Sequence, residues 1–332
     1  MKTKLFRKLT FFVAVVLSVT TIPVIATPPQ AAVGYWTEAM MKSAKPLELV
    51  MDARTGIGQL QIGTEVEPQT TGSDWTGGQL PQTAVGKVFF SIGRSNYVCS
   101  GSVLSDGDNS NLRSIVITAG HCTIDRGKFV TNFMFVPNYD EDILDNSISP
   151  QNRWYAQNLV VNSQFASQRQ FNVTAIQNDW AFAVIRPGTF TKNRTSLTNP
   201  SGNLDGLAGA FTYSVSGFSS AGNTSTSFGY PQAAPYNGRE LKYARGAIFA
   251  DPNGYGTWGM NSTLTGGASG GPWLSTFDPN SPTGGSVSSV NSYKYTNDPN
   301  TMYGPNFNSR TTATLSAALG IISTNTGDVI VR

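Results

Sequence analysis

From about Thr83 onward the chain is made of short apolar runs parted by Gly, Asn, Ser and Asp, and this texture limits the fold more than any other feature. The runs at 85–92, 97–104, 114–118, 129–136, 180–185 and 211–217 all have the length and composition of strands. Between two of them, Asp106-Gly-Asp-Asn-Ser-Asn111 carries the turn residues of a hairpin loop. Amphipathic helices are scarce. The one candidate is Ser309 to Leu319, with Leu315, Ala318 and Leu319 on one face and Gly320 ending it. A succession of short strands over about 250 residues implies an all-β chain, either a sandwich or a pair of barrels, with enough length for a large core. No repeat at solenoid periods is present.

The segment ahead of this region reads differently. Lys2, Lys4, Arg7 and Lys8 precede an apolar stretch from Phe11 to about Val19, followed by Pro23 and small residues at Ala26 and Ala31-Ala32. That order is a secretory signal peptide over residues 1–32, cut near 26 or 32; its apolar core is shorter than the ~20 residues of a membrane anchor. Secretion to the extracellular space or periplasm follows. Without those four basic residues the chain has 19 Lys+Arg against 20 Asp+Glu, so its net charge falls from +3 to −1. The basic balance thus belongs to the export signal and gives no reason to expect nucleic acid or an anionic membrane as partner. Residues 33–82 read as a prosegment or N-terminal arm: Glu38–Val50 has helical pairs broken by Pro46, and Glu65–Gln82 has the Thr, Gly, Pro and Gln of a loop. Cys99 and Cys122 are the only cysteines, and an even pair in an exported chain reads as a disulfide.

His121 is the only histidine, so any imidazole catalysis is centred on Thr118-Ala119-Gly120-His121-Cys122. A lone histidine is ordinarily a satisfied core or surface residue. The run Gly266-Gly267-Ala268-Ser269-Gly270-Gly271-Pro272 and the intervening Asn178-Asp179-Trp180 change that reading. A serine hydroxyl needs a base to take its proton, and the base needs a buried acid to fix its tautomer. His121, Asp179 and Ser269 supply these roles. The glycines around Ser269 let the N–H groups of Gly267 and Ser269 converge on one point as an oxyanion hole. Gly267-Ala268-Ser269-Gly270-Gly271 also satisfies the G-x-S-x-G elbow of lipases and esterases, but that fold needs a histidine after the serine and none follows. A subtilisin-type order would need the acid before the histidine.

These motifs resemble the chymotrypsin family of serine peptidases. Thr118–Cys122 is similar to its histidine box, Asp179-Trp-Ala-Phe-Ala-Val-Ile185 to its aspartate strand, and Ser269-Gly270-Gly271-Pro272 to its nucleophile box. The resemblance covers about residues 83–332. It implies two antiparallel six-stranded β-barrels with the active site between them and a short C-terminal helix. Barrel 1 would span about 83–195 and barrel 2 about 205–332, with a seam near Lys192–Gly209. It also implies a Cys99–Cys122 disulfide, and hydrolysis of protein or peptide substrates by a secreted endopeptidase through an acyl-enzyme on Ser269. A monomer is expected. The rival readings are a non-catalytic homologue that binds proteins, and an esterase using the same triad.

The chain departs from the family in three places. Ala268 stands where most members have an aspartate that receives the new N-terminal ammonium after zymogen cleavage. The nearest run to the family's mature start is Ala84-Val85-Gly86-Lys87. Activation is therefore expected to remove a blocking prosegment from a preformed oxyanion loop. At the pocket floor, six before the nucleophile, Thr263 replaces the carboxylate that would select Arg or Lys. In Ser286-Val-Ser-Ser-Val-Asn-Ser292, Ser288 or Ser289 is expected near the acid, with Val290 or Asn291 lining the pocket. No cofactor is expected; the only candidate metal is calcium at Asp140, Glu141, Asp142 and Asp145, for which a solvated acidic loop is the plainer reading.

Overall fold

The computed structural model describes residues 34–63, 72–108, 111–140, 152–322 and 325–332. The expected signal peptide lies outside these residues, as do Glu141, Asp142 and Asp145 of the candidate calcium loop. Among the described residues no helix is long and apolar enough to cross a membrane.

Short strands dominate. The first barrel is an antiparallel succession in the order Thr131–Pro137, Val85–Ile92, Ser95–Leu104, Ser114–Thr118, Ala181–Ile185 and Asn158–Asn162. Ser114–Thr118, Asn158–Asn162 and Ala181–Ile185 are buried at every position, because both faces are covered. The second barrel is formed by Thr224–Gly229, Lys242–Ala247, Thr257–Asn261, Pro272–Ser275, Ser286–Val290 and Asp298–Pro305. Neither set closes into a ring through hydrogen bonds, yet together they make the two-barrel architecture expected from the sequence. The C-terminal helix spans Ser309–Leu319. Asn308 caps its N-terminus reciprocally with Thr311, and buried Thr311, Thr314, Leu315 and Ala318 form its inner face. That face packs on the strands Asn158–Asn162 and Ala181–Ile185 of the first barrel.

Three expectations are corrected. The stretch read as loop up to Gln82 holds a two-residue strand at Ser73–Asp74 and the start of a helix at Gln79–Ala84. The Phe211–Gly217 run forms a strand only at Thr212–Tyr213. The Glu38–Val50 stretch is not an interrupted helix: a helix at Glu38–Ser43, capped by Thr37, gives way to a strand at Lys45–Asp52. Pro46 ends any helix, but near the start of a strand its missing N–H costs nothing, and its carbonyl accepts from Gly63.

This arm strand, Lys45–Asp52, folds back antiparallel on Ile57–Ile62. It also pairs in parallel with Ser95–Leu104 on one side, at Lys45 opposite Tyr97, and with Tyr293–Tyr295 on the other, at Leu49 opposite Tyr293. It therefore lies in the cleft and joins the sheets of the two barrels. Its turn is set by Asp52, whose carboxylate accepts the Thr55 and Arg54 N–H groups; those backbone donors hold its pKa below the usual range. Leu47, Leu49 and Met51 are buried.

Candidate active site

Cys99 and Cys122 form a disulfide that ties the strand Ser95–Leu104 to the short turn Gly120–Cys122. With both sulfurs bonded to each other, their proximity to His121 offers no thiolate to a metal. His121 and Asp179 are fully buried and paired by both functional ends. One carboxylate oxygen of Asp179 accepts the His121 backbone N–H at 2.8 Å, and the other meets Nδ1 at 2.8 Å. The contact requires Gly120: a Cβ there would lie 2.9 Å from the Phe165 ring and 3.1 Å from the Asp179 oxygen. With Nδ1–H donating to the carboxylate, the Nε2 lone pair is free to act as a base.

A third group reaches Asp179. The Ser292 hydroxyl donates to its Oδ2 at 2.5 Å. The serine near the acid is thus Ser292, rather than Ser288 or Ser289. Ser289 donates to the Pro305 carbonyl at 2.7 Å, and Ser288 hydrogen-bonds Ser275. Val290 is core, packed with Leu274 and Val287. Thr263 is buried with its hydroxyl 2.9 Å from that of Tyr236.

The glycine-rich loop around Ser269 is held from beneath. Ser100, next to Cys99, gives its N–H to the Ser269 carbonyl at 2.7 Å and its hydroxyl to the Gly267 carbonyl at 2.9 Å. Gly270 has φ +81°, and a Cβ there would fall 2.1 Å from Thr118 Oγ1 and 2.5 Å from the Ser100 carbonyl. Asn291, expected in the pocket wall, instead lies fully buried under this loop. Its Nδ2 donates to the carbonyls of Phe228 and Ala268, both at 3.0 Å. Its Oδ1 accepts from Ser227 and from Trp273 Nε1, both at 2.7 Å. Its backbone N–H and carbonyl bond to Gly271 and Gly270. Ala268, in the place of the family's aspartate, lies in an apolar cluster with Leu264, Met260 and Trp273, where an unpaired carboxylate would be costly.

Ser269 reaches the cleft but makes no hydrogen bond to the histidine. Its hydroxyl points to the Leu47 carbonyl of the arm strand at 3.4 Å, and the Gly267 N–H donates to the same carbonyl at 3.1 Å. Nε2 of His121 is buried and makes no hydrogen bond among the described residues. His121 and Asp179 are therefore joined directly, whereas Ser269 and Gly267, the expected oxyanion donor, converge on a backbone carbonyl of the chain itself.

No protein-family model and no curated protein matches the chain. Among solved structures, the protease Anisep from Arthrobacter nicotinovorans is 36% identical, covering 75% of this chain and 99% of its own, at a TM-score of 0.58. The thermostable serine protease AL20 from an extremophilic microorganism is 34% identical over 72% of this chain and 98% of its own, at a TM-score of 0.56. This chain belongs to the chymotrypsin-fold serine proteases. A Glu endopeptidase shares the fold at 15% identity and a TM-score of 0.53, covering 76% of this chain and 99% of its own.

Within that family frame, the strand Tyr293–Tyr295 is the cleft edge, and three residues on or beside it were not picked out from sequence. Tyr293 and Tyr295 both donate to the buried carboxylate of Asp251, at 2.6 and 2.7 Å. Burial, with Asp251 adding to it, pushes both phenols well above the usual tyrosine value. Lys294, between them, is buried, and its amine donates to the carbonyls of Ser262, at 3.1 Å, and Pro299. Burial pulls its pKa down to about 8, while Glu48 and Asp298 act the other way.

Proposed function

We propose that this protease is a secreted endopeptidase that works through an acyl-enzyme on Ser269 and is made with its own N-terminal strand closing the site. The observation that carries this reading is the Leu47 carbonyl, which accepts from the Gly267 N–H and faces the Ser269 hydroxyl. The arrangement has the hydrogen-bonding of a bound substrate carbonyl without its reactivity. A hydroxyl whose proton points at a carbonyl oxygen is neither deprotonated nor aimed at the carbonyl carbon. Burial of Leu47, Leu49 and Met51 holds the strand there; at about 2 kcal/mol per side chain this amounts to roughly 6 kcal/mol as an upper estimate.

Once the strand is displaced, the Ser269 hydroxyl turns to His121 Nε2. The imidazole takes its proton as Oγ attacks the scissile carbonyl, and Asp179 stabilises the imidazolium. The oxyanion that develops is met by Gly267 N–H, as the Leu47 carbonyl is now. His121 then protonates the departing amine, leaving the acyl-enzyme, and activates the water that hydrolyses it. The Cys99–Cys122 disulfide supports an oxidising, exported setting.

Labelling of Ser269 by a fluorophosphonate tests the reading. The full chain is expected to label slowly, the Leu49→Asp variant at least tenfold faster because a buried carboxylate loosens the strand, and Ser269→Ala not at all. Casein cleavage should follow the same order. A full chain that labels at the rate of Leu49→Asp would refute strand inhibition. A chain that never labels, even after the strand is cut away by limited proteolysis, would refute catalysis.

A further inference from the structure

On the arm strand, side chains alternate between two faces of the cleft. Leu49 and Met51 enter the apolar cluster of Ile176, Tyr293, Tyr295 and Tyr303. Glu48 and Val50 take the other face, where they line a cavity of about 150 Å³ together with Gln61, Lys294 and Pro299. Glu48 immediately follows the carbonyl that faces Ser269, and its Cβ lies 3.2 Å from where a Cβ on Gly266 would stand. Leu47 supplies the carbonyl at the reacting centre, and the residue after it carries a carboxylate that is itself buried.

Among the described residues that line the cavity, Lys294 is the cation. Lys294 occupies the strand position facing Glu48 and Val50, and its amine crosses to the Ser262 carbonyl. Ser262 directly precedes Thr263, which the family resemblance places at the floor of the pocket for the residue on the acyl side of the scissile bond. That pocket thus has a lysine amine at its base and no carboxylate at Thr263. Two carbonyls hold the amine in place without neutralising it. An ammonium so desolvated binds a carboxylate more strongly than it would in water.

We propose that Lys294 is the specificity-determining residue of this protease, selecting an acidic side chain at the acyl-side residue of the substrate, and that Glu48 faces the same lysine across the cavity in the uncleaved chain. This inference rests on the endopeptidase reading above. A neutral glutamine has the same shape as glutamate but forgoes the charge, so the comparison of the two isolates the lysine.

The test uses the secreted, processed protein, its active sites counted with a fluorophosphonate, on peptides that differ only in Glu, Gln, Asp, Ala or Lys at the acyl-side position. Glu is expected to exceed Gln at least tenfold in kcat/KM. That ratio should fall towards one in Lys294→Met and remain above it in Lys294→Arg. On the uncleaved chain, Glu48→Gln and Lys294→Met should each speed labelling of Ser269, and the double variant should label no faster than the faster single one. A Glu to Gln ratio near one in the wild type, or a ratio unchanged in Lys294→Met, would overturn the inference, as would additive effects in the double variant. These outcomes leave the endopeptidase reading standing. Absence of both labelling and cleavage, whatever the acyl-side residue, would overturn that reading and this inference with it.

Discussion

Replacing Asn291 by alanine removes four side-chain hydrogen bonds from beneath the nucleophile loop at once. The partners are not equally exposed to the loss. The Ala268 carbonyl keeps the N–H of Gly271 at 3.0 Å, so it remains satisfied. The indole N–H of Trp273 and the hydroxyl of Ser227 are fully buried in their strands and lose the acceptor they share. At about 1–3 kcal/mol for each buried group left unpaired, the change should destabilise the fold by about 4 kcal/mol. Urea unfolding, followed by tryptophan fluorescence, measures this directly. The Ser269 labelling rate, measured after release of the arm strand, should fall as well, because the Ala268–Ser269 peptide loses one of the two hydrogen bonds to its carbonyl. A loss below about 1 kcal/mol would show that waters or neighbours replace the amide, and the argument for Asn291 as the support of this loop would fail. Asn291→Asp sharpens the comparison. It keeps the acceptor for Trp273 but sets an anionic oxygen against two carbonyls, so it should be at least as destabilising as alanine near neutral pH.

Ser292→Ala removes the 2.5 Å hydrogen bond to Asp179 while leaving both His121 contacts, so kcat/KM of the processed enzyme should fall about tenfold, or about 1.4 kcal/mol of barrier. Steady-state peptide hydrolysis with unchanged melting temperature would isolate the catalytic effect. Converting both Cys99 and Cys122 to alanine opens a loop of 23 residues, and thermal unfolding should show a loss of about 3 kcal/mol. Lys294 makes stability depend on alkaline pH. The folded chain releases that proton near 8, whereas an unfolded lysine holds it to about 10.4, so unfolding takes up a proton in between and stability should rise by about 2 kcal/mol from pH 8 to 10. The rise should be absent in Lys294→Met. Above pH 10 the trend reverses, because the buried phenols of Tyr293 and Tyr295 stay protonated only in the folded chain.

What could be read from sequence, and what could not, divides by the range of the interaction. His121, Asp179 and Ser269 stand in runs whose local composition already implies their setting: a glycine where the acid must approach, a buried strand after the acid, and glycines around the nucleophile. The helix Ser309–Leu319 was legible because its apolar face and its stop fall within a few turns, while its Asn308 cap emerged only in the structure. The run Ser286–Ser292 failed on register. It holds four serines, and only the pairing with Pro272–Ser275 decides that Ser292 reaches Asp179 while Asn291 turns inward. Lys294 gave no signal, since a lysine in a strand normally faces water. The arm strand had a faint one, the alternation of Leu47, Leu49 and Met51 against Glu48 and Val50. Its partners, however, are set by pairing with strands far along the chain, which local pattern does not encode.

Ala268 and the arm strand are two parts of one solution. Where an oxyanion loop is completed by a salt bridge to a new N-terminus, the uncleaved chain is inactive because the loop is unformed. Here the loop is already tied by Asn291 and Ser100, and its Gly267 N–H already holds a carbonyl. A loop preformed in this way would be active from synthesis unless something filled it. As proposed, the arm strand fills the oxyanion site with Leu47 and the apolar cleft with Leu49 and Met51, and it sets Glu48 across a cavity from Lys294. On the proposed reading, activation therefore requires the departure of a strand rather than the arrival of a terminus. Blocking the mature N-terminal amine by acetylation should then leave turnover unchanged. Loss of activity on acetylation, restored when the amine is freed, would place the missing lock elsewhere in the molecule.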